Sequence, residues 1–315
     1  MANFTSILDE ASGPVPYQLT NDYLFRTVMQ KNQTVLKGFV SALLHISEEE
    51  IRSLEIMNPI VLGEDLDSKE FILDLKILLN SNQAINIEVQ VLNYDDWPER
   101  SLTYLCRAFD SLKHGDDYID VLPTHHISIL KFTLFPQHPE FYSTNMLMNV
   151  RNHQLYTGKF QLSVLDLNKI HLATEEDKKY QLDYWAALFV AKTWEDFKMI
   201  AEKSEPLKEA AKTVYAVSAE EDIRLRCEAR RRYEEDRAFL ITSGRKQGIK
   251  EGEAIGLQKG KSIGIREGKS IGIQEGEAKL SSLITLLMEQ NRLDDVKRVT
   301  SDLAYRRELY EKYNL

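Results

Sequence analysis

The feature that most constrains how this 315-residue chain folds is a pair of alternating apolar runs, FILDLKILL at 71–79 and AINIEVQVL at 84–92, separated by a short polar stretch. Side chains on a strand alternate between its faces, so Phe71, Leu73, Leu75, Ile77 and Leu79 share one face of the first strand. Asp74 and Lys76 lie on the other, with Ile72 and Leu78. In the second strand Ile85, Ile87, Val89 and Val91 form the apolar face, with Asn86, Glu88 and Gln90 opposite. A slip of one residue reverses a strand's faces, so the two apolar faces coincide only if paired residue numbers sum to an even total, as when Asp74 lies opposite Glu88. The expected hairpin therefore has an odd-length loop. In that register the two carboxylates stand about 5 Å apart, Cβ to Cβ.

Carboxylates at that separation suit one shared hard divalent cation, Mg²⁺ first and Mn²⁺ as a substitute, with substrate phosphate and water completing its shell. Such an ion activates water and stabilises charge at phosphorus, which points to metal-dependent phosphodiester chemistry. Gln90 points the same way as Glu88 and is placed to orient the attacking water or a phosphate oxygen. Being neutral, it brings no positive charge, and Lys76 on the same face is the candidate for that task. The same alternation also fits a half-buried hairpin with a solvated outer face, although Ile72 and Leu78 on the polar face argue against simple solvation.

The surrounding order is Asn21-Asp22-Tyr23-Leu24-Phe25-Arg26, then Asp74, then Glu88-Val89-Gln90. A helix with Arg100, Tyr104, Asp110 and Leu112 follows, before Gly115 and Tyr118. This ordered set resembles the recombination-promoting nuclease and transposase family of the PD-(D/E)XK nuclease superfamily, and the resemblance extends over most of the chain. It implies an α/β fold with an α-β-β-β-α-β nuclease core that hydrolyses DNA with Mg²⁺. By that resemblance Asp74 and Glu88 are metal ligands, the Val89 backbone carbonyl is a further one, and Gln90 stands where the superfamily usually has lysine. Asp22 matches an acidic residue that such nucleases aim at the site, as a third ligand or as its support. It also reads as an early-turn acid interacting with a helix dipole.

Along the chain, Thr20 is a plausible cap for a helix from Asp22 to about Gln30, and Ser47-x-x-Glu50 is a capping box. Pro98 suits the first turn of a helix reaching towards Gly115. Strand-like runs follow at 126–135, 141–150 and 159–167, so the pattern is α/β with a mixed central sheet followed by a helical C-terminal region. The expected division is a nuclease-like core at 1–170, a helical region at 171–243 packed on or following the core, a glycine-repeat tether at 244–279 and a helical tail at 280–315. Trp185, Phe189 and Trp194 follow a helix face and read as packing residues rather than a base-stacking platform.

Residues 1–170 carry 13 Lys and Arg against 22 Asp and Glu, whereas 224–279 carry 14 against 9. An acidic core must bind DNA through metal ions and local basic patches, for which the stretch with Arg230, Arg231 and Arg232 is one candidate and a solvated helix the other reading. No apolar run is long enough to span a bilayer, and the N-terminus lacks signal-peptide character, which predicts a soluble cytoplasmic protein without membrane contact. Cys106 and Cys227 indicate neither a disulfide nor zinc. His125 and His126 are strand neighbours that face opposite ways and do not make a metal pair. No P-loop or dinucleotide-binding signature is present, which sets aside kinases and dinucleotide enzymes.

Nine of the 14 glycines recur every fourth residue from Gly244 to Gly276. On an α-helix each four-residue step advances by about 40° beyond a full turn, so the glycines wind around the rod and make no single face. Each also costs about 1 kcal/mol of helix stability relative to alanine. The segment reads as a marginal helix or flexible tether, or as a low-complexity linker. Beyond it Leu283, Leu286 and Leu287 need a partner surface, which raises self-association through the repeat and tail. The sequence thus favours a Mg²⁺-dependent DNA endonuclease. The alternatives are a catalytically weak nuclease-fold protein binding DNA or partner proteins, and a helical assembly protein with a purely structural hairpin.

Overall fold

A computed structural model describes residues 5–57, 75–112 and 114–315. The first part of the strand expected at 71–79, with Asp74, lies outside the described residues. Contacts divide the chain into two compact units, Met1–Ala238 and Phe239–Leu315.

In the first unit, helices α1 (Thr5–Glu10), α2 (Asp22–Lys31) and α3 (Gln33–Leu44) precede strands β1 (Leu54–Ile56), β2 (Leu75–Leu79) and β3 (Gln83–Gln90). Helix α4 (Trp97–Phe109) leads to β4 (Thr124–Leu130), β5 (Tyr142–Met146) and β6 (Phe160–Asp166). From α3 to β4 this is the expected α-β-β-β-α-β order, with α2 as an additional helix before it. Helices α5 (Glu175–Lys179), α6 (Leu182–Val190), α7 (Trp194–Ala201) and α8 (Glu205–Ser218) follow, and then α9 (Glu221–Glu289), whose first turns belong to this unit.

The six strands form one mixed sheet in the order β1-β2-β3-β4-β6-β5. β2 and β3 are antiparallel, and their pairs run from Leu75 with Ile87 to Leu79 with Gln83. Every pair sums to 162, the register that superimposes the two apolar faces. The loop is the three residues 80–82, an odd number as expected. Asn80 and Ser81 turn with positive φ, 50° and 59°, and asparagine tolerates that conformation better than most residues. The Asn80 side chain also accepts from the backbone N–H groups of Arg52 and Ser53, which ties the turn to the approach of β1. β4 then runs parallel to β3, pairing Glu88 with Ser128 and Gln90 with Leu130.

One face of the sheet joins α2, α3 and α6–α8 in the main core, which includes Ile77, Ile87, Val89, Phe25, Phe39, Trp185, Phe189, Trp194 and Phe197. Residues 171–218 therefore share their core with the sheet. The other face carries polar side chains beside a small apolar cluster in which Trp97 of α4 meets Leu130 and Val164. Several ends differ from expectation. Asn21, rather than Thr20, caps α2, because its side chain accepts from the Leu24 N–H at 3.1 Å. α4 stops at Phe109, well before Gly115, and β4 stops at Leu130, so 131–135 continue beyond the ladder. The capping box at Ser47 and Glu50 closes a short 3₁₀ turn as expected.

In the second unit the glycine repeat lies within α9, and α10 (Leu293–Ser301) and α11 (Leu303–Tyr313) follow. Leu283 and Leu287 of α9 are buried with Val299 and Leu309, so the surface that covers them comes from the chain's own tail. Arg292 binds this small core together, bonding Asp295 and donating to the hydroxyls of Tyr313 and Tyr305. No helix among the described residues is long and apolar enough to cross a membrane.

Candidate active site

β3 alternates cleanly, so Asn86, Glu88 and Gln90 share the polar face. Glu88 is only 6% exposed, and a buried carboxylate needs strong compensation. Arg100 of α4 supplies part of it, with Nη2 donating to Oε1 at 3.1 Å. Four-residue spacing puts Arg100 and Tyr104 on one side of α4, and Arg100 Nε donates to the Tyr104 hydroxyl at 2.9 Å. The guanidinium also lies 5.2 Å from the Trp97 ring centroid. Gln90 is buried, and its Nε2 donates to the Leu92 carbonyl at 2.8 Å.

Neighbouring positions on β4 extend this patch. His126 pairs in register with Asn86, and its Nδ1 lies 2.8 Å from Asn86 Nδ2. The amide nitrogen can only donate, so Nδ1 accepts and the imidazole proton sits on Nε2. Burial, with His125 adding, drives the His126 pKa down to about 3. His125 faces the opposite way, as strand alternation requires. Its Nε2 lies 2.7 Å from Ser163 Oγ, and burial lowers its pKa to about 4. Both rings are thus neutral near pH 7 and bring no positive charge.

A second charged group gathers where α2 meets the start of α9. Asn21 Nδ2 donates to the Cys227 carbonyl at 3.1 Å, which docks the two helices. Next to it, the buried Asp22 carboxylate accepts from Arg230 Nη2 at 2.6 Å. Burial raises the Asp22 pKa while Arg230 pulls it down. Arg230 also approaches Glu234 at 3.5 Å. Burial is the main force pushing the Glu234 carboxyl up to about 7; Arg230 and Lys131 oppose it and Asp22 adds to it. Lys131 follows β4, where its backbone N–H donates to the Gln90 carbonyl and its Nζ donates to Gln18 Oε1, each at 3.0 Å. One turn beyond Glu234, the Arg237 guanidinium lies 5.2 Å from the Tyr94 ring, on the segment linking β3 to α4.

Of the residues expected from sequence, Glu88 and Gln90 share one face. Lys76 pairs with Asn86 on that same face and is half-buried, but among the described residues the cation within ion-pair distance of Glu88 is Arg100. The Val89 side chain points into the main core, and Asp22 is held by Arg230. Asp74 lies outside the described residues. Sequence reasoning missed Lys131, Glu234 and Arg237. The signal for the last two was the spacing of Ile223, Cys227, Arg230, Glu234 and Arg237, which places them along one side of a helix.

Carboxylate and carbonyl oxygens without histidine or cysteine are the donor set of a hard divalent cation, so the residues fit such an ion. Among the described residues no three His, Cys, Asp or Glu side chains converge into a metal-binding group. Neither a curated protein nor a solved structure matches the chain. The family of PD-(D/E)XK nuclease family transposases does match, over residues 19–244. The matched span begins just before α2, contains the whole α-β-β-β-α-β core and ends within α9. On that match, which covers more than half its length, the chain belongs to the PD-(D/E)XK nuclease family transposases.

Proposed function

We propose that the protein is a Mg²⁺-dependent DNA endonuclease, acting in the cytoplasm in recombination or mobile-element processes, with Mn²⁺ able to replace Mg²⁺. The observation that carries this reading is the β2–β3 register inside the family's core, whose described pairs from Leu75 with Ile87 to Leu79 with Gln83 have the parity expected for the hairpin that carries Glu88. Asp74, Glu88 and the Val89 carbonyl would hold the ion, which supplies Lewis acidity and an activated water when bound. Gln90 orients the attacking water or a phosphate oxygen, Asp22 supports the site from α2, and Lys76 adds positive charge on the shared face. Arg100 donates to Glu88 Oε1 and so aims the carboxylate. Self-association through the glycine repeat and C-terminal helices belongs to the same reading. Equal light-scattering masses for the full chain and one ending at Ser243 would count against it.

A second reading draws on the Arg100–Glu88 pair itself. A guanidinium on the carboxylate competes with a cation for the same oxygen, which favours a catalytically weak nuclease fold that binds DNA or partner proteins. Supercoiled plasmid incubated with and without Mg²⁺, beside folded Asp74→Ala and Glu88→Ala variants, separates the two. Metal-dependent nicking lost in both variants is expected, whereas salt-sensitive DNA binding without any wild-type cleavage would favour the second reading.

A further inference from the structure

The four arginines of the cluster 226–232 in the first turns of α9 are each paired with a carboxylate. Arg226 pairs with Asp222, Arg230 with Asp22 and Glu234, Arg231 with Glu228 and Glu235, and Arg232 with Glu228. Arg237, one turn beyond Glu234, differs from that cluster: among the described residues no carboxylate lies within ion-pair distance of it. It packs instead between two aromatic rings, with its guanidinium 5.2 Å from the Tyr94 centroid and 5.6 Å from that of Tyr233. Tyr94 follows Gln90 by four residues and precedes Trp97, on whose ring Arg100 rests. Arg237 is exposed and feels the like charge of Arg100, the residue that pairs with Glu88. A guanidinium held flat by aromatic rings keeps its N–H fork in place and loses little freedom when it binds an oxyanion.

We propose that Arg237, braced by Tyr94, is a phosphate-binding residue that seats the nucleic-acid backbone beside the Glu88 centre. The inference rests on the nuclease reading and assigns α9 a place in strand binding. A residue that contacts one phosphate adds about one counterion to the salt dependence of binding, regardless of sequence.

The test measures binding of a fluorescent duplex of about 20 base pairs to the full chain by anisotropy, without Mg²⁺, over a range of salt, for wild type, Arg237→Ala, Arg237→Lys and Arg231→Ala. Wild-type plasmid nicking is assayed in parallel. Arg237→Ala is expected to weaken binding about tenfold at low salt and to reduce the log–log salt slope by about one. Arg237→Lys should keep the slope and recover part of the affinity, and Arg231→Ala, whose charge is already paired, should match wild type. If wild type nicks and binds DNA but Arg237→Ala binds with unchanged affinity and slope, the assignment of Arg237 is overturned and the nuclease reading stands. If wild type neither binds nor cleaves DNA, both fall. An equal loss in Arg231→Ala would also overturn the assignment, because it would reduce Arg237 to general surface charge.

Discussion

At the scale of single residues, adjacent histidines on one strand show how far a sequence can be read. Alternation alone separates His125 from His126, but only the fold shows that both rings are buried, one on Ser163 and the other on Asn86. That burial has a consequence for pH. An unfolded histidine titrates near 6.5, whereas these titrate near 4 and 3 in the folded chain. A lowered folded pKa means stability that is fully present above about pH 6.5 and is lost as the pH falls through 4 and towards 3. Between those limits the unfolded state binds up to two more protons, a slope of up to about 2.7 kcal/mol per pH unit. Urea unfolding from pH 7.5 to 4.5 should show this decline, and His125→Gln, which can still bond Ser163, should reduce the slope by about half. An unchanged slope in that variant would remove His125 from the account. Glu234, raised to about 7, acts in the opposite sense: its contribution is present at low pH and fades as the pH rises through 7, so the comparison must be between variants. Glu88 and Gln90 were legible because a strand of period two fixes their common face. Arg100 as the partner of Glu88 was not, since nothing local in sequence says which face of α4 lies over the sheet.

At the scale of elements, what could be read was whatever repeats with a short period. The β2–β3 register and its odd loop came from parity, and the tryptophan helices from their 3.6-residue spacing. Ends were read less well: Asn21 displaced Thr20 as the cap because its amide also bonds Cys227, a residue more than 200 positions away. The glycine repeat was the least determined element, because propensity argues against a helix that the chain nonetheless forms. Two kinds of glycine should now respond oppositely to alanine. A Cβ at Gly256, Gly260 or Gly264 meets nothing within 4 Å, so each substitution should stabilise α9 by about 0.5–1 kcal/mol. In α3 a Cβ at Gly38 would collide with the Pro206 ring at the start of α8 and approach Trp185 at 3.3 Å, which should cost about 1–3 kcal/mol. Thermal melts followed by circular dichroism would resolve the signs. Loss of helix on alanine substitution within the repeat would show instead that the glycine edge is closely covered in solution.

At the scale of the whole molecule, composition suggested a core ending near 170 and a basic helical stretch beyond it, and this is where sequence reading had least to work with. The helices after β6 fill the same core as the sheet, and tertiary burial of this kind leaves no periodic mark that links two distant segments. The start of α9 is the clearest case. Ile223 and Cys227 are buried in the core, the Cys227 carbonyl accepts from Asn21, and Arg230 neutralises Asp22. Both the first compact unit, which ends at Ala238, and the family match, which ends at 244, include these turns. A chain ending at Ala238 should therefore unfold at close to the urea midpoint of the core in the full protein. A chain ending at Glu220 should lose at least about 3 kcal/mol, from the buried Ile223 and Cys227 side chains and from leaving Asp22 without its cation. Equal midpoints for the two truncations would mean that α9 only rests on the module. A large loss in the shorter chain alone would make its first turns part of the nuclease fold, and would require any account of the site to include Arg230 and Glu234 beside the residues of the sheet.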